Sequence, residues 1–592
     1  MTHADPDAAP RIGQVVGHPA ARATADRIDG LLGTPTTRYD GPASAGLRRA
    51  WTECDLIVSH LALGATTRLI APLLASKHTD PGVVVVDEAA RYCVPLVGGH
   101  VGGANALATR LASGLGATAV LTTATDALGL TALDTLGWAT SGDLAGVTRA
   151  VLDGRPVGLV RERPWPLPAL PGNVAEAGVA RTVTRGSHVE TLPEPPPAVA
   201  RIVVSDAAEV PAGALPTVVL HPRSLVVGMG CNRGTTSEAL RALLDATLTG
   251  ARLSIASVAA LTTVDAKADE PGLVELAAAL GVPLVAYPSD DLATRDVPNP
   301  SAAPAAAVGT PSVAEASVLA HGAELLVEKH KTPEATCAVG RLPVLGRLAI
   351  VGLGPGSHDL LTPRAHRVLS ESSVVVGYRP YVAQIRALLR PGTEVVAQGM
   401  GTEEQRTAYA IARAREGRAV ALVCGGDPAI YAMASPTLEQ GTEGLEVQVV
   451  PGVTAELAAS AILGAPLGHD HATISLSDLH TDWETIERRL RAAAEGDFVT
   501  TLYNPRSHKR VEHLPRALAL LGEHRPPTTP VAVVRNAERP DQWVRIATLA
   551  TFDVEWVDMN SLVVVGSSTT RVLPSGLGRQ VMVTPRDYRW LA

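Results

Sequence analysis

The chain has 592 residues, which is too long for one hydrophobic core and predicts three or four domains. A hydrophobic content of 46% with 19% charged residues is typical of globular packing and excludes a disordered chain. The formal net charge of −8 gives no overall attraction to nucleic acids or acidic membranes. The five cysteines form no C-x-x-C pair, so we expect no protein-bound metal and no disulfide framework.

The N-terminal residues lack the charged and then apolar pattern of a targeting signal, and no apolar run reaches 18 residues. We therefore expect a soluble, cytoplasmic protein without membrane or nucleic-acid partners. Aromatic residues make up only 3% of the chain, while small and aliphatic residues dominate, a composition that favours helices packed on parallel sheets. The predicted class is multidomain α/β.

Residues 1–129 form the first predicted domain, whose signal is clear from residue 55 onward and weak before residue 45. The predicted elements are strands at 56–59, 83–87 and 94–97 and helices at 24–32, 67–74 and 104–115. The glycine-rich loop GGHVGG, residues 98–103, precedes the last of these helices, so free N–H groups there are expected to favour an anion. His100 lies in this loop, where a structural and a catalytic histidine are equally well supported.

Residues 130–223 are predicted to be a middle or linker region. Two proline-rich runs, RERPWPLPALPG and LPEPPPAVAR, are expected to follow the surface, and a strand is predicted at 154–160. No chemistry is indicated in this region.

Residues 224–342 form the third predicted domain, which opens with a strand, a glycine loop and a helix. Cys231 lies in that loop without an evident base, so we interpret it as a small packed residue. Lys267 and Glu270 belong to a charged cluster before a later helix. The helix dipole explains carboxylates at such a position, and a proton-transfer cluster is the alternative. Ser312 and Glu315 have the spacing of a capping box.

Five ordered motifs between residues 50 and 342 resemble the cobalt-precorrin-5A hydrolases of cobalamin biosynthesis: DPGVVVVDE, PLVGGHVGGANALA, GMGCNRGT, DAKADEPGL and VGTPSVAEA. The resemblance implies hydrolytic opening of a ring-fused lactone with release of acetaldehyde. That chemistry needs a base to deliver water and a cation or N–H groups for the oxyanion. His100, Lys267 and Glu270 are the catalytic candidates. The alternative is a non-catalytic module that holds a tetrapyrrole.

The fourth predicted domain, residues 347–592, begins with the strand 348–351 and the loop GLGPGS. Glycine permits close approach of a ligand to the backbone, and Thr362 followed by Pro363 predicts the start of a helix. A dinucleotide site is not indicated, because the next strand ends in Gly377 and Tyr378 without an acidic residue for the ribose.

Three more strands end in similar loops, at GGDP (425–428), PGVTA (451–455) and YNPR (503–506). Four such loops in this order resemble the tetrapyrrole methylases, the class III methyltransferases that bind S-adenosylmethionine (SAM) between two α/β lobes. Residues 466–510 and 374–382 are similar to the precorrin-3B C(17)-methyltransferases. That family methylates carbon 17 of the macrocycle and contracts the ring. Methylation at another ring carbon is a lesser alternative, and the substrate is expected with or without cobalt.

The resemblance assigns SAM binding to nine residues: Pro355, Gly425, Gly426, Asp427, Ile430, Thr454, Ala455, Asn504 and Gly566. Ala429 and Ala432 replace two glycines of the family pattern, while the G-D-P turn is intact. The macrocycle carries carboxylates, and a basic run supplies cations that bind it by charge-assisted hydrogen bonds, unless the run is simply a solvated loop. The substrate-binding candidates are Arg506, Lys509 and Arg510. The family also implies a homodimer formed through this domain.

Only the short segment LPVLGR, residues 342–347, joins the two predicted enzymes. Each half has its own glycine loops and its own candidate residues. We therefore predict a bifunctional enzyme whose two activities are fused and independent.

Overall fold

The structure is a computed structural model that describes residues 10–32, 36–76, 79–99, 102–122, 129–130, 132–176, 182–185, 188–191, 197–210, 213–302, 308–586 and 588. The chain divides into two compact units, the first comprising Met1–Trp165 with Leu170–Val344 and the second Pro166–Ala169 with Leu345–Ala592. Strands and helices alternate along both units, so the predicted multidomain α/β class is confirmed.

A six-stranded sheet opens the first unit, and its first four strands in space are parallel. The spatial order is Thr37–Asp40, Ile12–Val16, Leu56–Ser59, Gly82–Val86, Tyr92–Val97 and Thr118–Ala119. The helices are Arg22–Leu32, Ala43–Glu53, Leu63–Ile70 and Ala104–Leu115. The first two strands of the chain were not predicted, because the buried amide of Gln14 interrupts one apolar run and the other strand is polar.

The middle region contains a five-stranded sheet. Its spatial order is Ala139–Gly142, Thr217–His221, Ala200–Val204, Val157–Arg161 and Val174–Glu176. The helix Leu144–Leu152 packs on it, and Thr182–Arg185 pairs with His188–Thr191 as a separate hairpin. The expected surface path of the first proline-rich run is wrong at Trp165, whose side chain is buried at 5% exposure. Part of the second run lies outside the described residues.

A third sheet, also five-stranded and mixed, completes the first unit. Its spatial order is Leu284–Tyr287, Val258–Val264, Leu225–Cys231, Ala335–Arg341 and Glu324–Lys331. Its helices are Ser237–Gly250, Pro271–Leu280, Ser289–Ala293 and Val313–Ala320. The predicted N-cap is confirmed, because the Ser312 hydroxyl accepts a hydrogen bond from the backbone N–H of Glu315. Within the described residues the Glu315 carboxylate accepts from the Ser312 hydroxyl, the Asn299 side chain and the N–H of Lys329, so the reciprocal bond of a capping box is not formed.

The second unit begins with a lobe built on five parallel strands. Their spatial order is Glu394–Gln398, Val374–Tyr378, Ala419–Cys424, Gly346–Gly352 and Leu445–Val450. The helices are Pro363–Glu371, Arg379–Ile385, Glu403–Arg415 and Ala434–Glu439. The helix start predicted at Thr362 is confirmed, since its hydroxyl accepts from the N–H of Ala365 and proline occupies the first helical position.

The second lobe is built on a mixed five-stranded sheet. Its spatial order is His471–Ser475, Val499–Tyr503, Ser561–Val565, Pro530–Arg535 and Trp543–Thr548. The helices are Ala455–Leu463, Trp483–Glu495 and His513–Gly522. A small sheet joins Gly464–Ala465, Gln580–Val583 and Arg571–Pro574.

Short 3₁₀ turns connect several of these elements, at Pro19–Ala21, Ala71–Leu73, Leu133–Thr135, Ile255–Ser257, Asp265–Lys267, His358–Leu360, Arg386–Leu388, Val554–Trp556 and Gly576–Gly578. Among the residues with described structure, every helix is too short or too polar to cross a lipid bilayer.

Candidate functional sites

The carboxyl edge of the first lobe of the second unit holds a glycine cradle. The backbones of Gly354 and Gly426 exchange two hydrogen bonds, of 3.2 Å and 2.8 Å, so the two loops lie in direct contact. A Cβ on Gly352 would lie 2.6 Å from the carbonyl oxygen of Gly426. Larger residues would therefore separate the loops. Because parallel strands end at one edge, the two loops predicted separately from the sequence form one surface.

Asp427 holds this cradle together. Its carboxylate accepts hydrogen bonds from the N–H groups of Ala429, at 2.9 Å, and Gly452, at 3.1 Å. Gly452 belongs to the loop after the next strand, so one carboxylate fixes two of the four predicted loops. Asp427 lies among the predicted SAM residues Gly425, Gly426 and Ile430.

The second lobe presents a polar edge built around Tyr503. The Tyr503 hydroxyl lies 2.6 Å from the Thr454 hydroxyl and accepts a hydrogen bond of 2.9 Å from the N–H of Glu456. The helix that begins at Ala455 is thereby tied to the end of a strand. The next residue, Asn504, has φ of +47° and donates from its side chain to the Ser475 hydroxyl at 3.0 Å.

Tyr431 connects the two lobes. It follows Ile430 in the cradle loop, and its hydroxyl donates a 2.9 Å hydrogen bond to the carbonyl of Thr473 in the second lobe. Its φ of +51° is unusual for a bulky side chain, and such backbone strain concentrates at functional sites. The rings of Tyr431 and Tyr503 lie 5.3 Å apart.

A second connection between the lobes was missed by the sequence analysis. The Arg539 Nε donates a 3.0 Å hydrogen bond to the carbonyl of Pro355, another predicted SAM residue. The strands Val499–Tyr503 and Pro530–Arg535 both pair antiparallel with the strand between them, so they run in the same direction. Their carboxyl ends therefore meet at one edge, beside the cradle. The sequence signal that could have located this edge is Asn536, an asparagine directly after a strand. In the structure its φ is +49°, a conformation that asparagine adopts more readily than most residues.

Gly566 does not belong to this cluster, and its assignment to the SAM site is corrected. The antiparallel register pairs Thr500 with Val565, so Gly566 follows at the amino end of the strand Val499–Tyr503. Asn504 follows the carboxyl end of that strand. Five residues of strand span roughly 16 Å, which separates the two positions.

The three basic candidates have different surroundings. The Arg506 guanidinium donates to both carboxylate oxygens of Glu555, at 2.7 and 2.9 Å, and to a backbone carbonyl. Arg510 donates to the carbonyl of Asn504 at 3.0 Å, so it supports the edge of the cleft, by which we mean the space between the glycine cradle and the polar edge around Tyr503. Lys509 is exposed and makes no ion pair within the described part of the chain. Lys509 is therefore the candidate whose charge is available to a ligand.

In the first unit, the partly exposed Lys267 and the buried Glu270 form an ion pair at the carboxyl edge of the third sheet. The Lys267 Nζ lies 2.8 Å from one carboxylate oxygen of Glu270, and the N–H of Gly234 donates to the other at 2.6 Å. The two side chains are 14% and 6% exposed. These hydrogen bonds, the one from Lys267 first, hold the pKa of the Glu270 carboxyl below its ordinary value. Glu270 is thereby a weaker base.

Cys231 ends the strand beside this pair. Burial raises the pKa of its thiol, and this effect outweighs the opposite influence of the Lys267 charge. A protonated thiol is a poor nucleophile, which agrees with the interpretation of Cys231 as a packed residue.

His100 lies outside the described residues. Around it, the expected anion seat is not formed by the first helical N–H groups, because Ala104 donates to Gly98 and Asn105 donates to Gly99. The glycines instead allow close packing, since a Cβ on Gly82 would lie 2.3 Å from the carbonyl oxygen of Gly102.

His60 was not singled out from the sequence. It follows the third strand of the first sheet, and its Nε2 lies 2.8 Å from the Oε1 of Gln14 on the neighbouring strand. Burial lowers the pKa of His60 to about 4, so the ring is neutral at pH 7. The two strands flank the position where the strand order reverses, which is a common ligand position in α/β sheets.

Comparisons with known proteins identify both units. Residues 347–553 match the model of the Tetrapyrrole (Corrin/Porphyrin) Methylases. Residues 45–126 match Cobalamin synthesis G N-terminal, and residues 225–340 match Cobalamin synthesis G C-terminus. The chain therefore carries a tetrapyrrole methylase domain, a class that takes its methyl group from SAM, fused to cobalamin synthesis G domains.

Two relatives narrow the class, and one crystal structure is also similar. A probable cobalt-factor III C(17)-methyltransferase of Salmonella typhimurium is 44% identical over 41% of this chain and 99% of its own length. A precorrin-3B C(17)-methyltransferase of Sinorhizobium is 40% identical over 41% and 97%. The crystal structure of the methyltransferase CobJ is 39% identical over 40% of this chain and 100% of its own, with a TM-score of 0.38. The chain belongs to the C(17)-methyltransferase family, as its sequence motifs predicted.

Proposed function

We propose that the second unit transfers a methyl group from SAM to carbon 17 of precorrin-3B, or of its cobalt-containing form, with contraction of the ring. The observation that supports this most is the glycine cradle of Gly354 and Gly426, which faces the polar edge around Tyr503. This pair of features occurs in a chain that covers nearly the whole length of relatives named for this reaction.

The sulfonium of SAM supplies an activated methyl group, so the main task of the protein is to position the donor and the acceptor carbon in line. The glycines let the parts of the cradle pack closely together, because a Cβ on Gly352 would clash with the Gly426 carbonyl and a Cβ on Gly425 with the Tyr381 ring. The residues proposed to hold SAM are Pro355, Gly425, Gly426, Asp427, Ile430, Thr454, Ala455 and Asn504. Lys509 and Arg510 are proposed to meet substrate carboxylates, with Arg506 paired to Glu555.

Incubation of the pure protein with ¹³C-methyl SAM and precorrin-3B, or its cobalt form, tests this proposal. We expect the mass of one added methyl group and a carbon NMR signal from a methyl on carbon 17. A methyl signal from another ring carbon would refute the assignment to carbon 17, and no transfer with either substrate would refute the proposed substrate.

The first unit is proposed to hydrolyse cobalt-precorrin-5A, adding one water, opening the lactone and releasing acetaldehyde. The cobalamin synthesis G matches support this, together with the largely covered cation Lys267 at the carboxyl edge of a sheet. Lys267 would stabilise the oxyanion, and Glu270 would hold Lys267 in position. His100 remains the proposed base.

One observation favours the alternative, a non-catalytic module that holds a tetrapyrrole. The Glu270 carboxylate is already engaged by Lys267 and Gly234, which leaves it little capacity to take a proton. An alcohol dehydrogenase assay for acetaldehyde separates the two functions. Release that falls at least tenfold in Lys267→Met supports the hydrolase, whereas wild-type binding without release supports the holding module.

A homodimer formed through the methylase domain and a cytoplasmic location are also proposed. Large apolar side chains on the second unit support the dimer, since Leu479 is 76% exposed and Met400 is 60% exposed. Light scattering coupled to gel filtration should give twice the chain mass. Cell fractionation tests the location.

A further inference from the structure

Tyr381 lies inside the glycine cradle. It belongs to the helix Arg379–Ile385, and its ring occupies the space next to Gly425. A Cβ on Gly425 would lie 2.7 Å from two ring carbons and 2.9 Å from the hydroxyl oxygen. Tyr378 packs edge-on against the ring at a centroid distance of 5.3 Å, which fixes its orientation. The hydroxyl makes no hydrogen bond to any residue that the structure describes.

Arg539 reaches the same cradle from the second lobe. Its side chain lies on Gly356, where a Cβ would be 2.6 Å from the arginine Cγ, and its Nε is held by the Pro355 carbonyl. The two terminal nitrogens of the guanidinium form no hydrogen bond or ion pair with described parts of the chain. They are therefore free to donate into the cleft, in contrast to those of Arg506, one of which binds the Val554 carbonyl and the other Glu555.

Burial keeps the Tyr381 hydroxyl protonated, so it can act as a hydrogen-bond donor. Burial raises the pKa of the hydroxyl, and the nearby positive charges of Arg539 and Arg406 oppose that rise only in part. The hydroxyl therefore carries its proton at pH 7. Arg406 itself is buried and donates a hydrogen bond to the Gly399 carbonyl. Its positive charge therefore acts on the Tyr381 hydroxyl from a distance, without a direct contact.

We propose that the Tyr381 hydroxyl and the Arg539 guanidinium form a carboxylate-binding site within the cradle. The proposal rests on the proposed methylase function, which brings two kinds of carboxylate into this cleft. One is the carboxylate of the methionine part of SAM, and the other is an acetate or propionate of the macrocycle. A planar guanidinium binds a carboxylate through two parallel hydrogen bonds, and the tyrosine supplies a third. The site would fix the orientation of whichever ligand it holds.

The test uses the full chain with Tyr381→Phe, which removes only the hydroxyl, and Arg539→Gln. The matched controls are Tyr378→Phe on the same segment and Arg535→Gln, an exposed arginine four residues before Arg539. Titration calorimetry measures the Kd of S-adenosylhomocysteine and of 5′-methylthioadenosine, which lacks the amino-acid part. Absorbance titration measures the Kd of precorrin-3B without requiring turnover.

If the site holds the methionine carboxylate, both variants should raise the Kd of S-adenosylhomocysteine about tenfold and leave the Kd of methylthioadenosine unchanged. If it holds a macrocycle carboxylate, the Kd of precorrin-3B should rise about tenfold, while the Kd values of S-adenosylhomocysteine and methylthioadenosine stay unchanged. Unchanged binding of all three ligands in both variants would overturn the proposal, and so would equal losses in the controls. Absence of methyl transfer by the wild type would refute the proposed function separately, because these titrations need no reaction.

Discussion

At the scale of single residues, Gly425 shows how a ligand site depends on an absent side chain. Gly354 has φ of +74°, so its backbone conformation alone favours glycine. Gly425 has no such conformation, and the Tyr381 ring fills the space where a Cβ would be. The sequence predicted that both glycines line a ligand site. Only the structure shows that Gly354 is required by its backbone conformation and Gly425 by its contact with the Tyr381 ring.

Gly425→Ala should weaken SAM binding at least tenfold, because the new methyl group displaces the Tyr381 ring into the cleft. Calorimetric titration with SAM measures the loss. Gly399→Ala is the control, since a Cβ there has no atom within 4 Å and should leave the Kd unchanged. Wild-type affinity in Gly425→Ala would mean that SAM does not depend on the position of this ring.

Lys509→Ala should raise the KM for the tetrapyrrole about threefold to tenfold and leave the Kd for SAM unchanged, because it removes an available cation. Steady-state kinetics with each substrate varied in turn measures both effects. Arg506→Ala should instead behave like Glu555→Ala and lower the Tm slightly, since the two residues form one partly exposed ion pair. A tetrapyrrole KM that is unchanged in Lys509→Ala would make the basic run a solvated loop.

At the scale of elements, the sequence predicted helix starts correctly where the residues that cap the helix lie within one turn of each other. Thr362 with Pro363 and Ser312 with Glu315 start helices as predicted, because a cap needs only neighbouring residues. The direction of a strand is different, because no local pattern encodes it. Gly566 was assigned to the wrong edge since its strand runs opposite to its neighbours, and Arg539 was missed for the same reason.

The loop that carries Lys267 and Glu270 should make stability depend on pH. The pKa of folded Glu270 lies below its ordinary value of 4.5, so its stabilising effect is complete above that pH and is lost as pH falls through the folded pKa. Glu270→Gln should therefore lower the Tm of the first unit at pH 7, and the difference from wild type should shrink below pH 4.5.

Differential scanning calorimetry at pH 7 and pH 4 measures that difference. Glu209→Gln, at an exposed loop position, is the control and should not change the Tm at either pH. A difference between Glu270→Gln and wild type that stays constant across the pH range would mean that the carboxylate charge does not stabilise the loop.

At the scale of the whole molecule, the chain keeps two sets of sheets apart along its sequence. The first unit closes with the strand Ala335–Arg341, and the second opens with Gly346–Gly352. Strand pairing within the described residues never joins one set to the other. The independence of the two activities stays a prediction.

A fragment of residues 345–592 should bind SAM with the Kd of the full chain, because all proposed SAM residues lie within it. Calorimetric titration of both proteins, with circular dichroism to verify folding, measures this. A folded fragment that binds more than tenfold more weakly would show that the first unit completes the site.

The reversed strand Ser561–Val565 has a practical consequence for labelling. It carries the chain away from the cradle, and the strands Arg571–Pro574 and Gln580–Val583 then pair beside Gly464, at the opposite end of the helix Ala455–Leu463. Val583, the last residue of this pairing, therefore lies at the end of that helix remote from Thr454. This segment offers an attachment point for imaging or surface immobilisation at which SAM affinity should survive.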